Sequence, residues 1–311
     1  MQKLKQVLSS INLLLCAFLT LQIQNHQSAA QGISICHKEQ GLYIARVDLN
    51  QTQLNNYFDI THRRSGEAHF FEKVPANKNF LLISNAFYVC PEDPEFILGT
   101  PIGLNYADGE LISYKDKAGN YPANPYIVKN FSEGIEADQL VFYFSNQQLQ
   151  VMTKPFDHTQ QWVKNFHIKD VISGLTLFDN NRVIDPLAVT FKAGVSPFNP
   201  RPRLLVTLAE GEPSTIYITA IDFSFQQGGA TIMESLDYAK NAPSYCNNHS
   251  HKPRQVMNID GGGSMSFFYQ SADGREFIQP AIPAEDPNDL FRKPNERFRT
   301  IPGVMTFTES S

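Results

Sequence analysis

From Leu42 onward the chain is written as short apolar runs, each closed within a few residues by turn chemistry, and this pattern confines it to a core built from sheets. Phe80 to Ile83 is a continuous apolar run suited to a buried strand. Leu104 to Tyr114 contains Asp108-Gly109, a dipeptide that accepts positive φ in a tight hairpin. Further strands are expected at Leu42–Val47, Leu140–Phe144, Gln148–Met152, Val171–Phe178, Leu204–Leu208, Ile216–Phe223, Val256–Ile259, Ser264–Tyr269 and Val304–Phe307. Turns at Asn180-Asn181, Glu210-Gly211 and Asp273-Gly274 separate them. With 23 Phe and 12 Tyr the chain favours strands over a helical bundle. The expectation is an α+β fold: a sheet-dominated single domain with curved mixed β-sheets flanked by a few helices.

One helix is clearly signalled. Thr231 and Glu234 form an S/T-x-x-E capping box, and Ile232, Leu236 and Ala239 then share one face. Pro243 is expected to stop it. A weaker helix, from Thr159 to Phe166, would present Trp162, Val163 and Phe166. Five prolines between Pro280 and Pro302 mark an irregular stretch before the last strand.

The first 30 residues are set apart from the fold. Lys3 and Lys5 precede a largely apolar stretch from Val7 to Ile23, and Ser28-Ala29-Ala30 offers a small-residue cleavage site, so a signal peptide over 1–30 is expected. A retained anchor and a lipoprotein at Cys16 are the alternatives; Ser9, Ser10 and Asn12 interrupt the apolar run, and Leu15 stands where a lipoprotein would carry a small residue. No second stretch is apolar enough for a membrane span after cleavage. An exported chain can form disulfides, and one bridge among Cys36, Cys90 and Cys246 is expected, with the pairing open. Their spacing fits no zinc pattern. With 26 Lys plus Arg against 31 Asp plus Glu, the net charge of −5 argues against a nucleic-acid partner.

The richest chemistry lies in Met257-Asn258-Ile259-Asp260-Gly261-Gly262-Gly263-Ser264. Alternate positions of an apolar strand carry Asn258 and Asp260, which strand alternation sends to one side, and three glycines follow. Two readings stay open: a cradle of backbone N–H groups for an anion, or a glycine turn in which Asp260 bonds its own loop. The segment has neither dinucleotide-fold spacing nor a P-loop ending, and Ser264 lacks the final glycine of a nucleophile elbow. His249 and His251 near Cys246 suit either a metal or a polar surface loop. Pro202 leads into Arg203 at the start of the Leu204 strand, and Arg201 lies two residues earlier; a rigidly held guanidinium suits phosphate, though a solvated pair at a strand edge has the same spelling. Asn85 sits where the Phe80–Ile83 run ends.

Taken in order, Asn85-Ala86-Phe87-Tyr88, Pro101-Ile102-Gly103-Leu104, Ile172-Ser173-Gly174-Leu175-Thr176, Pro202-Arg203, Gly229-Ala230-Thr231-Ile232-Met233-Glu234, Asn258 to Ser264 and Arg299-Thr300-Ile301-Pro302 resemble the phosphodiester glycosidase family. The resemblance spans residues 79 to 308. It implies residues 31–78 as N-terminal strands and lead-in and 79–311 as the glycosidase-like domain. Departures fall at Phe87, where the family has a small residue, and at Gly174-Leu175-Thr176, where it tends to have Gly-Gly-Pro; Ser244 to Arg254 reads as an insertion.

What the resemblance implies is a secreted or periplasmic hydrolase acting on a phosphorylated glycan or sugar-1-phosphodiester, without cofactor or metal. Asp260, Arg203 and Asn85 are the expected catalytic residues: Arg203 for the phosphate, Asp260 for water activation or oxocarbenium stabilisation, Asn85 with Asn258 for sugar hydroxyls. Gly261, Gly262, Gly263, Ser264, Ser173 and Gly174 are the further expected substrate contacts. Arg203 and Asp260 are expected to meet in one pocket. Two rivals remain: a catalytically silent surface protein of the same fold that binds polysaccharide, and a metal-dependent phosphodiesterase, which the absence of a His and Asp cluster with ligand spacing disfavours.

Overall fold

Turn residues that accept a left-handed backbone set the hairpins. Asp108 and Gly109 take φ of 49° and 79°, Asn180 and Asn181 take 45° and 68°, and Gly211 takes 76°. Each sits at the turn expected from sequence. The computed structural model describes residues 32–58, 75, 77–85, 105–111, 137–155, 161–185, 198–248, 250–261, 265–273, 276–280 and 303–310.

Within these residues the strands are β1 (Ile33–Glu39), β2 (Leu42–Asp48), β3 (Thr52–Phe58), β4 (Phe80–Ser84), β5 (Tyr106–Ala107), β6 (Glu110–Leu111), β7 (Asp138–Ser145) and β8 (Gln148–Lys154). They continue with β9 (His167–Asp179), β10 (Arg182–Val183), β11 (Arg203–Ala209), β12 (Thr215–Ile221), β13 (Pro253–Gly261), β14 (Ser266–Gln270), β15 (Glu276–Pro280) and β16 (Gly303–Glu309). The large sheet runs β1-β2-β12-β11-β13-β9-β5-β6, with β7, β8 and β10 attached through β9; the small sheet runs β15-β14-β4-β16-β3. Every described strand pair is antiparallel, so the expected mixed sheets are corrected to antiparallel ones. Short turns join many of the partners, and short turns can only close antiparallel pairs.

Strand alternation assigns the two faces of the large sheet. Val47, Leu204, Val206, Ile218, Met257 and Ile259 meet Leu81, Ile83, Phe267, Met305 and Phe307 of the small sheet in one core. Burying each such side chain stabilises the fold by roughly 1.5–3 kcal/mol. On the opposite face, Leu175, Leu177, Leu205 and Val256 are covered by Ile232, Leu236 and Ala239 of helix α1 (Ile232–Lys240). The Thr207 hydroxyl ties the two layers by donating to the Ala239 carbonyl at 2.8 Å.

Helix α1 starts as the sequence signals: the Glu234 N–H donates to the Thr231 hydroxyl and the Thr231 N–H to the Glu234 carboxylate, at 3.2 and 2.9 Å. Its end follows the stop signal. The helix finishes at Lys240, and Pro243 lies in the first turn of a second short helix, α2 (Ala242–Tyr245). Proline is tolerated there because its missing N–H has no partner to lose. The weaker expected helix is a single 3₁₀ segment, Gln161–Asn165. β1, β3, β10 and β15 escape the apolar-run test; β3, Thr-Gln-Leu-Asn-Asn-Tyr-Phe, is mostly polar because it borders the small sheet. The stretch of prolines from Pro283 to Pro302 lies outside the described residues.

Cys36 of β1 is joined by a disulfide to Cys246, just after α2, and Cys90 lies outside the described residues. Such bonds persist in secreted, lumenal or periplasmic surroundings. Among the described residues no helix is long and apolar enough to cross a membrane.

Candidate active site

Two strand ends and one crossover define the site. β11 begins at Arg203 and β13 ends at Gly261, and the ladder pairs these two residues directly, with Leu204 opposite Asp260. The chain then passes from the large sheet to the small one and resumes as β14, where the Ser266 N–H donates to the Ser84 hydroxyl at 3.2 Å. Asn85 follows Ser84 at once. Arg203, Asp260, Gly261 and Asn85 therefore gather at one end of the sandwich. Gly262, Gly263 and Ser264, in the crossover, lie outside the described residues.

The ladder divides this set between two faces. A register shift between Leu204 and Leu205 sets Leu205 opposite Asn258 but Leu204 opposite Asp260. Cross-strand partners share a face. Asn258 thus belongs with Leu205 on the α1 side, and Asp260 with Leu204 on the side between the sheets. The expectation that both point to one side is corrected, because one extra residue in a bulge reverses strand phase and leaves no trace in an apolar-polar alternation. Arg203 pairs with Ile221, whose side chain packs on the helix side, so Arg203 and Asp260 leave their strands on opposite faces. No ion pair joins them. Arg203 and Asp260, expected in one pocket, stand as neighbours along adjacent strand ends, with side chains that leave on opposite faces.

Arg203 is 2% exposed. Its Nε donates to the Ala230 carbonyl and its Nη2 to the Asn199 carbonyl, both at 3.4 Å. Burial first, then repulsion from Arg201, pushes its pKa down to about 10. Gly229, with φ of 92°, makes this approach possible: a Cβ there would stand 2.2 Å from the Arg201 carbonyl carbon. A side chain at position 261 would likewise stand 3.5 Å from Nη1 of Arg203. The guanidinium lies beside Gly261. Asp260 is 1% exposed and accepts the Gly261 N–H at 2.7 Å.

A second polar line starts at Asn85. Its amide donates to the Asn56 side chain at 2.6 Å and to the Tyr57 carbonyl at 3.1 Å, and Asn56 donates onward to the Tyr106 carbonyl at 2.9 Å. Beside Tyr106, the Asn105 side chain accepts the Ser173 N–H at 3.3 Å. Two residues further along β9, Leu175 pairs with Asn258. Gly174 sits between them, where a Cβ would come within 2.8 Å of the Asn258 carbonyl and the Met257 sulfur. Asn258 is 1% exposed, and neither polar atom of its amide has a hydrogen-bond partner. An unpartnered buried amide is costly and needs an explanation.

Sequence reasoning missed Asn56 and Asn105, whose only signal is an amide beside apolar neighbours, and a charged cluster on β9. There Lys169 holds Asp108 and lies 3.6 Å from Asp170. Burial raises the Asp170 pKa to about 6, against the pull of Lys169 and of the Asp108 N–H. Among the described residues no group of three His, Cys, Asp or Glu is placed to hold a metal. His251 instead contacts the Glu210 carbonyl at 2.8 Å, and His249 lies outside the described residues.

This fold occurs in known structures. The catalytic domain of zebrafish N-acetylglucosamine-1-phosphodiester alpha-N-acetylglucosaminidase, auto-inhibited by its pro-peptide, matches with a TM-score of 0.56 at 12% identity over 91% of this chain and 85% of that one. A hypothetical protein from Synechocystis matches with a TM-score of 0.51 at 11% identity, over 91% of this chain and 63% of that one. A putative exported protein from Burkholderia pseudomallei gives a TM-score of 0.45 at 11% identity, over 86% and 73%. No family model matches the chain, and no curated protein matches its sequence. What the first two likenesses establish is a shared fold.

Proposed function

We propose that the chain is an exported hydrolase of the phosphodiester glycosidase type, cleaving the glycosidic bond of a sugar-1-phosphodiester to release the sugar and leave a phosphomonoester. The observation that carries this reading is the buried Arg203, its charge disfavoured by burial and by Arg201, set beside Gly261 on a fold shared with a sugar-phosphodiester glycosidase. An anion bound beside the guanidinium would gain a charge-assisted partner. The disulfide supports export.

In this reading the phosphate of the substrate lies against the backbone N–H groups from Gly262 to Ser264, the Gly261 N–H being held by Asp260. The field of Arg203 stabilises the negative charge that grows as the C–O bond breaks. Asp260 takes the proton of the water that adds to the anomeric carbon, and the phosphate departs with the bonding pair. Asn85 orients the sugar, while Ser173, Gly174 and Asn258, on the other face, set how closely β9 and β13 pack behind the pocket. A phosphate needs little protonation to leave, so a second carboxylate is dispensable.

The separation of Arg203 and Asp260 by the ladder favours a second reading, a protein of this fold that binds glycans without turning them over. A panel of alkyl sugar-1-phosphodiesters, incubated with the protein in ¹⁸O water, distinguishes the two. Label in the released sugar supports hydrolysis at carbon; label in the phosphate marks a phosphodiesterase instead. Bound but uncleaved substrate leaves only the second reading. If cleavage occurs, Arg203→Ala should slow turnover by roughly 10²–10³-fold. Asp260→Asn should be slower still, and full activity in a folded Asp260→Asn protein would remove Asp260 from the reaction.

A further inference from the structure

A cleft of about 460 Å³ opens at the far end of β9, lined by Tyr106, Asp108, Phe144, Phe166, His167 and Lys169 among others. Its volume falls within the ~300–1,000 Å³ of small-molecule sites. His167 lies six residues from Ser173 along β9, roughly 20 Å at the rise of a strand. The aromatic end of the cleft is therefore set apart from Ser173, while Tyr106 at its other wall accepts through its carbonyl from Asn56, the partner of Asn85.

Its lining combines two kinds of surface. Phe144 is 38% exposed and tilts against His167 with ring centroids 5.2 Å apart, and Phe166 packs edge-on against Tyr143. Between these rings Asp108 and Lys169 present hydrogen-bonding groups. The charges balance: Lys169 faces Asp108 and the buried Asp170, and Lys154 stands 5.2 Å over the Phe166 ring. Two ammonium groups stand against two carboxylates, so these charges offset one another. A neutral ligand with apolar faces and a polar rim fits, and a pyranose ring has that character: C–H faces that lie on aromatic rings and hydroxyls that reach carboxylate and ammonium.

We infer that this cleft is a binding site for a neutral pyranose unit of a glycan, distinct from the proposed site of hydrolysis. It does not rest on the hydrolase reading, because binding is read without turnover. Trp162 reports on it: this is the single Trp of the chain, in the 3₁₀ segment, and it packs in the same cluster as Tyr106, Val163 and Phe166.

The test is a fluorescence titration of the whole protein with the hexamer of N-acetylglucosamine, cellohexaose and maltohexaose in turn. A saturable shift of Trp162 emission is expected with at least one. Phe144→Ala and His167→Ala, both at exposed positions, should each weaken it about tenfold, the worth of one good aromatic contact. The inference is overturned by no saturable shift with any of the three sugars, by a shift of unchanged midpoint in both variants, or by an equal shift with choline or inorganic phosphate.

Discussion

Asp170 is an acid at the head of an apolar run, fully buried between Lys169 and Val171 on β9. Its pKa of about 6 lies above the ordinary 3.8 because burial outweighs the attraction of Lys169 and the hydrogen bond from Asp108. The folded state therefore holds this proton more tightly than the unfolded chain does. The stability this contributes is complete below about pH 4 and disappears as pH rises through 6, on the order of 3 kcal/mol in all. Urea unfolding at intervals from pH 4 to pH 7 should show the parent losing stability relative to Asp170→Asn across that window; parallel curves would mean that the carboxyl ionises normally. At this scale Arg203, Asp260 and Asn85 were legible as polar residues at strand ends. The orientation of Asp260 was not, because it depends on a bulge at its own strand.

Helix α1 is the element whose start could be read most directly, since its capping box and apolar face are local in sequence. Thr231→Ala leaves orphan N–H groups at the first turn and should cost about 1 kcal/mol, lowering the melting temperature by a few degrees, with Thr231→Ser restoring most of it. An unchanged melting temperature in Thr231→Ala would show that the cap is already replaced by water. The end of the same helix follows the stop signal as well, with Pro243 two residues beyond the Asn241 cap, where it also opens the first turn of α2. β11 and β13 illustrate the other limit: each strand was visible as an apolar run, yet the shift that sets Asn258 and Asp260 on different faces belongs to the pair.

At the scale of the whole molecule, the Cys36–Cys246 bond closes a separation of 210 residues and ties the outermost strand of the large sheet to the segment after α2. A loop this long removes much entropy from the unfolded chain, so Cys36→Ser with Cys246→Ser should lower the unfolding free energy by roughly 2–4 kcal/mol. Alkylation of the native, unreduced parent should leave both of these cysteines unmodified; labelling of either would contradict the bridge. The same long-range closure joins the lead-in before residue 79 to the rest, with β3 paired to β16 in the small sheet and β2 to β12 in the large one.

Local chemistry decided the strands with clear apolar runs, the hairpin at Asp108-Gly109, the start of α1 and the residues able to carry an anion site. These follow from φ preferences, side-chain period and hydrogen-bonding capacity, which act over a few residues. Only the tertiary structure decided that all described strand pairs are antiparallel, which two cysteines meet, and that Arg203 and Asp260 diverge from adjacent strands. The aromatic cleft at the far end of β9 likewise exists only once Tyr106, Phe144 and Phe166 are brought together. Register, bulges and the meeting of distant segments are set by the packing of whole sheets against one another, and no short window of residues contains that information.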